Sequence, residues 1–132
     1  MIPHINDSGP VRILVVEDEF LIAEWVAESL SDQGFAVETV ANASDALCHL
    51  ASAPVDVLFT DINLAGGMDG IALARQARAL LPHLPVVYAS ARVTLEPGAR
   101  VPGAIFVHKP YEPEAVGRLL AEAMKSAALV PA

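Results

Sequence analysis

The chain has a single cysteine, Cys48, so no internal disulfide can form, which is consistent with a reducing compartment. Basic residues are scarce: 8 Lys and Arg against 16 Asp and Glu, for a net charge of −8. A chain so acidic has no basic footprint for nucleic acid, which argues against direct DNA or RNA binding. No run approaches the roughly 18 apolar residues that a membrane span needs. Residues 1–10 show no basic stretch followed by an apolar one, so no signal peptide is read there and a cytoplasmic location is expected. The turn after the first apolar run reads Glu17-Asp18-Glu19, without the glycines and serines of a phosphate cradle. At 54% hydrophobic and 18% charged, the 132 residues fit one folded domain with a real core. Cys48, in a helical stretch, is expected to be a small buried filler.

What the chain does have is a set of apolar runs that stop at charged residues. Val11-Arg12-Ile13-Leu14-Val15-Val16 runs into Glu17 and Asp18, Val55-Asp56-Val57-Leu58-Phe59-Thr60 into Asp61, and Ala104-Ile105-Phe106-Val107-His108 into Lys109 and Pro110. Strands are expected at about 11–16, 35–40, 55–60, 85–89 and 104–107. Helices are expected at about 19–32, 43–52, 69–80 and 112–127. Asp18 is expected to cap the first helix, and Ile22, Trp25, Val26, Ser29 and Leu30 to form its apolar stripe. Leu80 is expected to pack, as part of the stripe of the helix over 69–80. Between 91 and 102, Pro97, Gly98 and Pro102 leave room for at most a short, irregular helix near 93–100. Strand and helix alternate five times, which predicts an α/β fold with a doubly wound five-stranded parallel sheet and helices on both faces. Sites in such sheets lie at the carboxyl ends of the strands, where these charged residues fall.

Carboxylates from Glu17, Asp18 and Asp61, with the loop carbonyl of Asn63, suit a hard divalent cation such as Mg2+. Clustered carboxylates repel one another, and a cation relieves that repulsion. Asp61 is the expected nucleophile toward phosphorus, giving an acyl phosphate. Lys109 offers a compact positive charge and Ser90 a hydroxyl donor for phosphoryl oxygens. Whether the Lys109-Pro110 bond is cis is not legible in the sequence.

In this order and spacing, Val15-Val16-Glu17-Asp18-Glu19, Asp61-Ile62-Asn63-Leu64, Met68-Asp69-Gly70, Ser90-Ala91 and Lys109-Pro110-Tyr111 resemble the receiver domain of bacterial two-component response regulators, the CheY-like family. The resemblance covers about residues 11–128, with 1–10 as a leader and 129–132 as a tail. It implies strand order 2-1-3-4-5, Asp61 as phosphoacceptor, and Glu17, Asp18, Asp61 and Asn63 as the Mg2+ site, with Mn2+ a substitute. It also implies Ser90 as the switch hydroxyl, Lys109 as the phosphate-contacting lysine and Phe106 as the switch aromatic. The plainer reading of Phe106 is a strand-core ring.

The implied partners are a sensor histidine kinase or histidine phosphotransfer protein and a downstream protein, with no membrane and no direct nucleic acid. A monomer that can dimerise on phosphorylation is implied. Such a domain is not an ordinary enzyme, though it catalyses its own phosphorylation and dephosphorylation. The sequence departs from the family pattern in three places. Leu64-Ala65-Gly66-Gly67 is longer than usual and lacks proline, and the segment from Ser90 to Lys109 is short. Tyr88-Ala89-Ser90-Ala91 is similar to the Phe-Ala-Thr-Gly stretch of an atypical, often stand-alone, alphaproteobacterial subfamily, but with Ala91 for glycine and no aromatic at Val93. Met1 and the length fit a stand-alone protein whose output is protein binding or phosphorelay. The alternative is a degenerate receiver that binds protein without phosphorylation. A Mg2+-dependent phosphatase is disfavoured because Asn63, not aspartate, lies two residues after Asp61.

Overall fold

The computed structural model describes residues 9–91 and 97–129. Five strands and four helices follow in the order β1 (Arg12–Val16), α1 (Phe20–Asp32), β2 (Ala36–Val40), α2 (Ala43–Ser52), β3 (Val57–Asp61), α3 (Gly70–Leu80), β4 (Val86–Ser90), β5 (Ile105–His108) and α4 (Pro113–Leu129). Among the described residues between β4 and β5 there is a 3-10 turn, Pro97–Ala99. The irregular helix expected near 93–100 is reduced to that turn where the chain is described, and 92–96 lie outside the described residues.

All pairings are parallel and the sheet order is β2-β1-β3-β4-β5. β3 and β4 are buried along their whole length, and β1 from Ile13 onward, whereas β2 and β5 are half-exposed edges. Alternate residues serve opposite faces. Leu14, Val16, Leu58 and Tyr88 pack with Leu50 of α2 and Leu73 of α3. Ile13, Val15, Phe59 and Val87 pack with Val26 and Leu30 of α1 and Leu120 of α4. Each fully buried Leu or Ile stabilises the fold by about 1.5–3 kcal/mol.

The helices start where the sequence supplies caps. Asn42 accepts from the Asp45 N–H at 2.8 Å to open α2, and Asp69 accepts from the Ala72 N–H at 2.9 Å to open α3. Pro113 begins α4, where a missing N–H costs nothing. Strand order reverses between β1 and β3, which places a crevice at their carboxyl ends.

Several expectations need correction. Cys48 is exposed, because α2 turns Ala43, Ala46 and Leu50 inward and leaves position 48 on the far side. Leu80 is also exposed, as the last residue of α3. Trp25 is 49% exposed on α1, where Ala23, Val26 and Leu30 make the buried stripe. Glu19, not Asp18, occupies the N-cap of α1, without a side-chain bond. β3 runs from Val57 to Asp61, so Asp61 is the last strand residue, its Cα paired with that of Ala89, rather than the first of the loop.

Candidate functional site

Four charged side chains meet at the crevice between β1 and β3. Glu17 directly follows β1, its N–H donating to the Val40 carbonyl at 3.1 Å, and its side chain is buried. One of its oxygens accepts from the Glu19 N–H at 3.1 Å, which fixes the carboxylate in the turn. Asp18 is exposed, and its Oδ2 accepts from the Ala65 N–H at 3.1 Å. That bond joins the β1–α1 turn to the β3–α3 loop, and it is what Asp18 does in place of capping α1. Asp61 ends β3 with only 7% of its surface exposed. One oxygen from each of Glu17, Asp18 and Asp61 lies within 4.8 Å of the others. Lys109 reaches in from the end of β5, its Nζ 3.1 Å from Asp61 Oδ1 and 3.7 Å from Glu17 Oε1. Its backbone N–H donates to the Ser90 carbonyl at 2.9 Å, holding it against the end of β4.

The electrostatics follow from burial and charge count. Burial pushes the Asp61 carboxyl above the usual range, and the Asp18 charge adds to this. The Lys109 hydrogen bond and charge oppose the shift without cancelling it. Burial likewise raises Glu17, against the pull of the Glu19 N–H and Lys109. Burial would lower Lys109, but the hydrogen bond to Asp61 and the charges of Asp61, Glu17 and Glu19 outweigh it and hold the ammonium charged. Three carboxylates therefore face one ammonium, and two negative charges remain uncompensated.

A divalent cation would supply that missing charge. The donor set is all carboxylate oxygen, which is the chemistry Mg2+ or Mn2+ takes. The exposed Asp18 leaves one side open to water, and Mg2+ retains several waters. Glu17, Asp18 and Asp61 thus form an acidic triad able to coordinate a divalent metal.

Residues 13–120 match the response regulator receiver domain family model. The chain belongs to this family. An NtrX-like response regulator of Rickettsia bellii is 32% identical over 117 residues, spanning 86% of this chain and 24% of that protein. The transcriptional regulatory protein QseB of Escherichia coli O157:H7 is 34% identical over 104 residues, 76% of this chain and 47% of that protein. The crystal structure of a response regulator receiver protein from Sinorhizobium medicae superposes with a TM-score of 0.82 at 30% identity, covering 89% of this chain and 97% of that one. The chain therefore spans less than half the length of both the NtrX-like protein and QseB.

Within this receiver domain the remaining expected residues are placed as follows. Ser90 is fully buried as the last residue of β4, its Cα paired with that of His108. Phe106 is half-buried on the α3 side of the sheet, its Cα paired with that of Tyr88, and its ring meets the His108 ring edge-on at 5.0 Å. Asn63 is exposed two residues past Asp61 and takes no part in the bonds that join the four charged groups. The Lys109–Pro110 peptide is cis.

Sequence reasoning missed three residues around the site. Gly70 sits so close to the Asp61 carbonyl oxygen and the Ile62 Cα that a Cβ there would collide with both. Tyr88 is fully buried, and its hydroxyl accepts from the Val101 N–H at 3.1 Å. Tyr111 lies between two other rings, stacked on Trp25 and edge-on to Phe59. Lys-Pro-Tyr and Met-Asp-Gly were visible as motifs, but nothing local shows what a glycine or a ring will touch across the fold. Among the described residues no helix is long and apolar enough to cross a membrane.

Proposed function

We propose that this receiver domain accepts a phosphoryl group on Asp61 from a phosphohistidine of a sensor histidine kinase or phosphotransfer protein. An Asp61 oxygen attacks phosphorus, the P–N bond to the donor imidazole breaks, and its electrons return to the ring nitrogen. The product is an acyl phosphate, later hydrolysed by water to the free carboxylate and inorganic phosphate. The observation that carries this reading is the Lys109 ammonium 3.1 Å from Asp61 Oδ1, beside carboxylate oxygens that converge within 4.8 Å.

Glu17, Asp18 and Asp61, with the Asn63 carbonyl, would hold Mg2+, for which Mn2+ would substitute. The bound metal would neutralise phosphoryl oxygens while the carboxylate attacks. The work of the chain's own residues is positioning. The Glu19 N–H orients Glu17, and the Ala65 N–H orients Asp18. Lys109, already paired with Asp61, exchanges that carboxylate for a phosphoryl oxygen, and the Ser90 hydroxyl donates to another. Bonds that exist only with the phosphoryl group present bias Ser90 and Phe106 toward a second arrangement, and that difference signals to a downstream protein. The net charge of −8 gives no basis for direct DNA contact by this segment.

Intact mass after incubation with acetyl phosphate and Mg2+ tests the reading. One added phosphoryl group is expected, absent in D61N and in chelator. No adduct in the folded, Mg2+-loaded protein would favour a receiver that binds partners without phosphorylation.

A further inference from the structure

Lys109 reaches Asp61 from an edge of the sheet. β5 is an edge strand of four residues with β4 as its one neighbour, and it is half-exposed for most of its length. The Lys109 N–H bond to Ser90 ties the backbone on the β4 side alone. The other constraint comes two residues later. The Tyr111 ring meets Phe59 edge-on, with centroids 5.7 Å apart and planes at 66°. On its other side it stacks on Trp25 of α1, at 6.3 Å and 13°. Both separations fall in the range where aromatic pairs attract beyond simple burial. Phe59 is buried in β3, two residues before Asp61 and on the same face of the strand. The turn after β5 therefore touches β3 twice, once through the Lys109 ammonium on Asp61 and once through the Tyr111 ring on Phe59.

We propose that Tyr111 is the positioning residue for Lys109: its ring, wedged between Trp25 and Phe59, seats the Lys109-Pro110-Tyr111 turn on the strand that carries Asp61. This rests on Lys109 contacting the phosphoryl group as proposed above. The ring does the seating, so Tyr111→Phe should preserve it and Tyr111→Leu should not. The metal ligands Glu17, Asp18 and Asp61 lie on β3 and the turn after β1, and Lys109 is paired with two of them, so Mg2+ affinity is measured in each variant and the rates are compared at saturation.

Two readouts test this. The first is the rate of phosphorylation by phosphoramidate at saturating Mg2+. A loose Lys109 should slow it by about ten- to a hundredfold in Y111L, as for other small misplacements of a reacting group, with Y111F near wild type. The second does not depend on phosphorylation at all. The chain has two lysines, Lys109 and the exposed Lys125, so amine acetylation read by peptide mass spectrometry compares Lys109 with an internal reference. Lys109 should label slowly in wild type and Y111F and markedly faster in Y111L, with Lys125 unchanged in all three.

Wild-type rate and labelling in folded Y111L would overturn the proposal. So would a Y111F variant as impaired as Y111L, which would assign the effect to the hydroxyl. If the wild type takes no phosphoryl group, the phosphoacceptor reading fails, and the labelling pattern alone still decides the positioning. If Y111L does not fold, Trp25→Ala at its half-exposed position carries the test. Faster Lys109 labelling in that variant supports the wedge, and unchanged labelling overturns it.

Discussion

Asp61 is held in a position that disfavours its own charge. Its burial, and that of Glu17, raises both carboxyls above the ordinary range. The folded metal-free protein thus keeps protons that the unfolded chain has released. Between the ordinary carboxyl range and the raised one, stability falls as pH rises, and the full penalty remains above both. Asp61→Asn removes one such group. Metal-free D61N should therefore melt above wild type at neutral pH, with the gap closing as pH is lowered through the carboxyl range. Thermal melts in chelator across pH check this, and a pH-independent gap or a less stable D61N contradicts it. Lys109 is also raised, so its slope has the same sign in a higher window: it contributes stability below the usual lysine range, which is lost as pH climbs through the raised one. These charged residues were legible because each ends an apolar run, and apolar runs in a strand–helix alternation point their ends to one side. The roles of Tyr88 and Tyr111 were not legible, because their partners Val101, Trp25 and Phe59 come together only in the fold.

The elements were legible in kind, and their ends less so. β3 begins at Val57, and just before it Asp56 is tied to Arg12 at three points: its N–H donates to the Arg12 carbonyl at 2.8 Å, and its carboxylate accepts from the Arg12 backbone N–H at 2.8 Å and from the Arg12 Nε at 3.1 Å. The composition between β4 and β5 excluded a long helix, but not what replaces it. The 3-10 turn is tied back by Arg75 donating to the Gly98 carbonyl at 3.2 Å, and Val101 by its bond to Tyr88. Tyr88→Phe leaves the Val101 N–H without its acceptor in a buried position, and should lower stability by about 1–3 kcal/mol. Urea unfolding with an unchanged slope would show it, and a neutral result would mean that the bond holds nothing. The junction of β3 with α3 depends on Gly70, whose N–H donates to the Ile62 carbonyl at 2.8 Å. Gly70→Ala forces the Asp61 carbonyl or the helix to move, at a cost of about 1–3 kcal/mol, and should also weaken Mg2+ binding because Asp61 moves with it. Calorimetric titration with Mg2+ checks the second part. Wild-type affinity in a destabilised G70A would separate the packing from the site.

At the scale of the whole molecule, the fold concentrates negative charge at one end of the sheet, and a metal that binds the folded chain must stabilise it. At about 100 times its dissociation constant, Mg2+ should add about 2.7 kcal/mol to unfolding stability, reversed by chelator and much reduced in Asp18→Asn. A melting temperature indifferent to Mg2+ would leave the triad without a metal-binding role. The sheet order, its two packed faces and the crevice at the β1–β3 reversal all serve to bring Asp61 and Lys109 together. The most direct measurement is to phosphorylate the protein with phosphoramidate and Mg2+, reduce with borohydride and map the product. Hydride reduces an acyl phosphate to the alcohol with release of phosphate, so the modified aspartate becomes homoserine. The account predicts homoserine at position 61 and nowhere else; its absence, or its appearance at Asp18 instead, would contradict it.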